Sequence, residues 1–72
     1  MAETYEYLTN DDKDGIIENH LRNLEYSLFN TEMSIFAAES VPTPNTELIA
    51  SLTSEKNDVK AKIVALKALL SA

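Results

Sequence analysis

The 72-residue sequence predicts an all-α fold: an antiparallel helical hairpin, or two-helix coiled coil, that assembles into a four-helix bundle as a homodimer. Apolar residues recur every three or four positions through two long segments, which is the period of an α-helix. Both prolines of the chain lie between those segments. The first segment also carries more apolar residues than one partner helix can cover. We therefore divide the chain into an N-terminal arm, residues 1–9, and a hairpin, residues 10–72.

The first helix is expected at about residues 11–40. Thr9 or Asn10 can accept hydrogen bonds from the free N–H groups of the first turn. Acidic residues follow at once, where the helix dipole favours negative charge. Apolar residues then recur with a 4-3-4 spacing, and Thr31 fills the one open slot. These seam residues are Ile17, Leu21, Leu24, Leu28 and Ile35.

A Pro turn at 41–44 is expected next, because the two prolines cannot both lie inside a helix. The second helix is then placed at about residues 44–71, with Thr43 as N-cap and Pro44 at the first helical position. The short turn and the nearly equal helices predict antiparallel neighbours. The seam of the second helix consists of Ile49, Leu52, Lys56, Val59, Ile63, Leu66 and Leu70.

Charged residues line the seam in two columns, glutamates on the first helix and lysines on the second. Antiparallel folding brings Glu18 toward Lys67 and Glu25 toward Lys60. Such flanking charges select partners in coiled coils. An exposed pair contributes only about 0.2–1 kcal/mol, so the pairing is expected to select orientation more than to add stability. The alternative is that both columns are ordinary solvated faces.

Lys56 occupies a seam position, where one polar residue can fix the register at a cost in stability. Its stem is expected to lie along apolar surface while the ammonium group reaches Glu25 or Glu32. We prefer this interpretation to a catalytic lysine.

Four further apolar residues repeat with a 3-4-3 spacing outside the seam of helix 1, and we name them the aromatic stripe. They are Tyr26, Phe29, Met33 and Phe36. Exposed apolar patches usually mark interaction sites. We therefore predict that the stripe packs on another chain, most simply by two-fold pairing of hairpins. In the alternative, the core face rotates along helix 1 and the hairpin buries Phe29 and Phe36 itself.

The N-terminal arm alternates aromatic and polar residues, with Tyr5, Tyr7 and Leu8 as candidate contacts. One interpretation is a loosely packed tail, as is common at chain ends. The other is an arm that lies over its own bundle or over a partner, for example by adding a strand to a sheet edge.

The composition excludes most chemistry. With no Cys, one Gly and one His, the chain lacks a disulfide scaffold, a Gly-rich phosphate loop and a multi-His metal site. His20 is not part of a Glu-x-x-His motif, and the serines have no base or oxyanion-hole context. We expect no enzyme, no cofactor and no metal. The 12 acidic against 6 basic residues oppose nucleic-acid binding.

No segment approaches the roughly 18 apolar residues of a membrane span, and the start lacks signal-peptide features. We therefore expect a cytoplasmic protein that binds neither membrane nor nucleic acid. A small structural or interaction protein that forms homo-oligomers, with a dimer favoured, fits these features. The alternative is a regulatory adaptor whose stripe or arm binds and modulates a host protein.

The sequence resembles small helical-hairpin proteins of tailed phages, especially cyanobacterial ones. The resemblance is carried by the stretch from Asn19 to Glu32, the Pro-Thr-Pro turn and the Lys-rich end Ala-Leu-Lys-Ala-Leu-Leu. The resemblance covers most of the chain. It implies a phage accessory or virion-associated protein made in the host bacterial cytoplasm, with host or virion proteins as possible partners and no active site. A weaker, purely architectural analogy is to the hairpin adaptors that trigger phycobilisome degradation.

Overall fold

In the computed structural model, which describes residues 4–70, two helices pack against each other. Helix α1 spans Asn10–Glu39 and helix α2 spans Thr46–Lys67. The described residues contain no strand, so the all-helical hairpin prediction is confirmed. The molecule is a rod of 57 × 19 × 18 Å with a radius of gyration of 16.7 Å. A compact chain of this length has a radius of about 11 Å, so the hairpin is elongated.

Helix α1 begins with a reciprocal capping box. The Thr9 hydroxyl oxygen accepts a hydrogen bond from the Asp12 N–H at 3.0 Å, and the Asp12 carboxylate accepts one from the Thr9 N–H at 3.1 Å. Two otherwise free N–H groups are thereby satisfied. Of the two candidate N-caps, Thr9 is therefore the one used. The helix then continues without a break for 30 residues.

The expected start of the second helix is wrong by two residues. Helix α2 begins at Thr46 rather than Pro44, and its N-cap is Asn45, not Thr43. The Asn45 side-chain oxygen accepts a hydrogen bond from the Leu48 N–H at 3.1 Å. Asn is at least as good an N-cap as Thr. Inside the first turn its side chain would not cap the helix, and Asn is unfavourable within helices.

The two helices are also less equal than expected, with 30 residues in α1 and 22 in α2. Helix α1 ends at Glu39, one residue before the expected end. Helix α2 ends at Lys67, and the Leu69 and Leu70 N–H groups then bond three residues back, at 3.0 and 3.2 Å. This is the tighter winding that often terminates helices. The expected end at residue 71, like residues 1–3 of the arm, lies outside the described residues.

The predicted seam is the partly buried side of both helices. Every seam residue of α1 and α2 is partly shielded from solvent or buried. Ile63, at 8% exposure, is the one buried residue in the described part of the chain. Thr31 fits the seam because its hydroxyl donates to the Ser27 carbonyl at 2.9 Å, within its own helix. The hairpin therefore has the predicted contact face but very little interior.

Candidate interaction surface

The aromatic stripe is exposed along its whole length. Its four side chains are between 45% and 75% exposed. The hairpin on its own therefore does not bury Phe29 and Phe36, in contrast to the interpretation in which the core face rotates along α1. Through the stripe, helix α1 presents a continuous apolar surface that is more than two helical turns long.

Helix α2 lies on the wrong side of α1 to cover the stripe. At 3.6 residues per turn, the centre of the stripe lies about 140° around α1 from the centre of the seam. The seam faces α2, so the stripe faces nearly the opposite way. Helix α2 therefore leaves these four side chains exposed.

The exposed area of the whole chain points to the same conclusion. The accessible surface is 5876 Å² for a mass of 8.0 kDa. A compact monomer of that mass exposes about 4,500 Å², so the hairpin carries an excess of roughly 1,400 Å². A standard protein interface buries about 800 Å² on each partner. The excess is therefore large enough to supply one such interface.

A polar edge borders the stripe near the turn. Met33 and Phe36 line a shallow groove together with Glu32, Glu39 and Lys56. Lys56 Nζ lies 3.7 Å from a Glu32 carboxylate oxygen, and both side chains are partly exposed. This confirms Glu32 as one of the two expected partners of Lys56. An apolar patch with a charged rim is the arrangement found at protein interfaces.

The two charge pairs expected between the helices form no ion pair within 4.0 Å in residues 4–70. These pairs are Glu18 with Lys67 and Glu25 with Lys60. The register explains the difference. Lys56 lies level with Glu32 along the helix axes. In this register Lys60 and Lys67 lie level with positions on α1 that are about 4.5 Å nearer the turn than Glu25 and Glu18. That the charge columns select the antiparallel orientation stays a prediction.

Part of the described arm borders the open end of the hairpin. Tyr5 and Leu8 line a largely apolar groove at the open end with four hairpin residues, Lys13, Ile16, Ile17 and Leu69. The Lys13 ammonium group lies 5.5 Å from the centroid of the Tyr5 ring, within cation–π range. Tyr5 and Leu8 are 53% and 38% exposed, so the loosely packed tail and the arm over its own bundle or a partner both stay predictions.

Tyr7, in contrast, is 89% exposed and does not line that groove. Ile16 was not singled out in the sequence because it precedes a seam residue without continuing the repeat. The doublet of isoleucines at 16 and 17 is the signal that identifies the groove, since it widens the apolar face at that end.

Within residues 4–70, no three His, Asp or Glu side chains lie close enough to share a metal ion. His20 is exposed on α1. Neither helix in the described part has an apolar stretch long enough to cross a bilayer.

Comparison of the chain with protein-family models, with curated proteins and with solved structures finds no match. Function is therefore inferred from the chain's own surface.

Proposed function

We propose that this protein is a small acidic interaction protein that self-associates through the aromatic stripe into a homodimer. The observation that carries the proposal is the exposure of four large apolar side chains on the face of α1 that α2 does not cover. A second copy carries an identical stripe, so two-fold pairing covers both at once.

The size of the stripe supports this assignment. Its four side chains expose roughly 500 Å² per chain, given the 150–250 Å² typical of an aromatic residue. Two stripes that face each other would bury about 1,000 Å², close to the lower limit of a specific interface. Neighbouring side chains on α1 add to that area. The remaining excess surface of the chain leaves room for their contribution.

The resulting dimer is a four-helix assembly in which the two α1 helices are adjacent at the centre, in place of a bundle around one shared core. Because stripe and seam lie on nearly opposite sides of α1, each α1 packs between its own α2 and the α1 of the second copy. The outer sides of both α2 helices stay in water. Their charged residues, together with the net charge of −6, keep the dimer soluble.

The biological setting is proposed from the resemblance to phage proteins alone. On that basis the dimer acts as an accessory or virion-associated component, made in the cytoplasm of a bacterial host. Two outward α2 faces would then offer equivalent sites to a virion or host protein.

Sedimentation equilibrium on three proteins tests the proposal. The wild type is expected at twice the chain mass of 8.0 kDa. Phe29→Asp places a charge in the stripe and is expected to sediment as a monomer, since an unpaired buried charge is costly. Val64→Asp is the matched control: Val64 is 68% exposed on α2, outside the stripe. It is expected to stay dimeric.

Circular dichroism of the same samples reports whether Phe29→Asp keeps its helices. A wild type that sediments at 8.0 kDa across the micromolar range would refute self-association and would leave the regulatory adaptor as the alternative. Equal dissociation of Phe29→Asp and Val64→Asp would place the interface elsewhere.

A further inference from the structure

Two opposite charges lie beyond the two ends of the aromatic stripe along α1, Arg22 on the face of the stripe and Glu39 at the edge between the stripe and the seam. Arg22, the only arginine of the chain, lies one helical turn before Tyr26 and on the same face. Glu39 is the last residue of α1, three positions after Phe36. Both side chains are exposed, and neither forms an ion pair within residues 4–70.

The carboxyl end of α1 lacks a compensating cation of its own. No basic residue lies in the last turn of α1, and Glu39 adds a negative charge there. The helix dipole places partial negative charge at this end, so a carboxylate is unfavourable and a cation is favourable. A positive charge brought by another chain would relieve both effects.

We infer that the second copy binds antiparallel across the stripe, with Arg22 of each chain paired to Glu39 of the other. This rests on the proposed self-association and specifies its geometry. The two-fold axis then passes between the two α1 helices, level with the midpoint of Asn30 and Thr31. Each guanidinium group meets the Glu39 carboxylate at the carboxyl end of the other α1.

Two independent sets of residues agree on the position of that axis. The four stripe residues centre on position 31, and the two flanking charges centre between positions 30 and 31. The two centres differ by less than about 1 Å along the helix. Antiparallel pairing about this axis therefore aligns the stripes and joins the opposite charges at the same time.

The parallel arrangement fails the same test. With α1 helices side by side in the same direction, Arg22, which lies on the contact face, comes beside Arg22 of the second copy. Like charges in juxtaposition at an interface disfavour that geometry. The stripe alone is compatible with either direction, so the two flanking charges select between them.

Charge reversal tests the pairing. Arg22→Glu and Glu39→Arg each turn two attractive contacts into repulsive ones, and each is expected to raise the dimer dissociation constant at least about tenfold. The double variant restores both contacts and is expected to return near the wild-type value. Lys62→Glu, on α2, makes the same change in net charge as Arg22→Glu and is expected to leave the dissociation constant nearly unchanged.

A distance measurement tests the direction itself. The chain has no cysteine, so an Asn23→Cys variant takes a single spin label. In the antiparallel dimer the two labels are separated by about 22 Å along the helix axis, whereas in a parallel dimer they lie level. The distance between the labels is measured by pulsed electron paramagnetic resonance. The inference would be overturned, with the dimer intact, by a distance that fits labels at the same level. It would also be overturned if the double variant dimerised no better than Arg22→Glu or Glu39→Arg alone. A wild type that never dimerises would instead refute the proposed function.

Discussion

Lys56 Nζ lies 3.7 Å from a Glu32 carboxylate oxygen, so an ion pair joins the two helices at a position of the seam that apolar residues otherwise occupy. The two side chains are 31% and 44% exposed, and solvent weakens their attraction. A polar residue at such a position contributes more to register than to stability.

Lys56→Leu is therefore expected to stabilise the hairpin by about 1 kcal/mol, since it adds apolar burial at a partly shielded site. Lys60→Leu, at an exposed position one turn further on, is the control and is expected to stay within about 0.5 kcal/mol of wild type. Urea unfolding followed by circular dichroism measures both. A Lys56→Leu protein less stable than wild type would show that the ion pair stabilises the fold outright.

The N-cap of α2 gives a second prediction. Asn45→Ala removes the acceptor of the Leu48 N–H and is expected to cost about 1 kcal/mol of unfolding free energy. Thr43→Ala, two residues earlier, removes no cap and is expected to cost less than about 0.5 kcal/mol. Equal losses, or a larger loss at Thr43, would contradict the observed helix start.

Ile63 is the centre of what core the hairpin has. Ile63→Ala is expected to cost about 2–4 kcal/mol, because it removes buried methyl groups and leaves a cavity between the helices. Val64→Ala, at the next and exposed residue, is the matched control. It is expected to lower the unfolding free energy by only about 0.5 kcal/mol or less. Thermal or urea unfolding of the pair tests whether burial at position 63 carries the packing. Similar losses at both positions would count against it.

The seam was predictable residue by residue because it depends on local periodicity. Apolar residues spaced at the helix period lie on one side of a helix, and the first partner helix covers that side. The polar exceptions were predictable for the same reason. Thr31 satisfies its hydroxyl within its own helix, and Lys56 reaches a carboxylate across the seam.

Helix ends and charge pairs depend on smaller free energies and were predicted less well. Thr43 and Asn45 are both good N-caps that differ by a fraction of a kcal/mol, so the sequence pattern does not rank them safely. To predict whether Glu25 pairs with Lys60, the register of the two helices must be known to within one turn. That register follows from contacts along the whole seam and not from the spacing of charges.

The aromatic stripe was visible in the sequence, but its exposure depends on where α2 packs. Once the seam is known, the angle around α1 follows from the spacing of residues. The role of Arg22 and Glu39 becomes apparent only when the stripe is taken as a contact face with two ends. A heptad pattern centred on the seam gives Arg22 no role and counts Glu39 among the glutamates that flank the seam.

The central claim is that a second copy completes the fold of this hairpin, and the dependence of the unfolding midpoint on concentration tests it most directly. Unfolding of a dimer to two chains is linked to chain concentration, whereas unfolding of a monomer is not. Between about 1 and 100 µM chain, the account predicts a rise in the midpoint of roughly 5–10 °C. A midpoint that does not change over this range would contradict it.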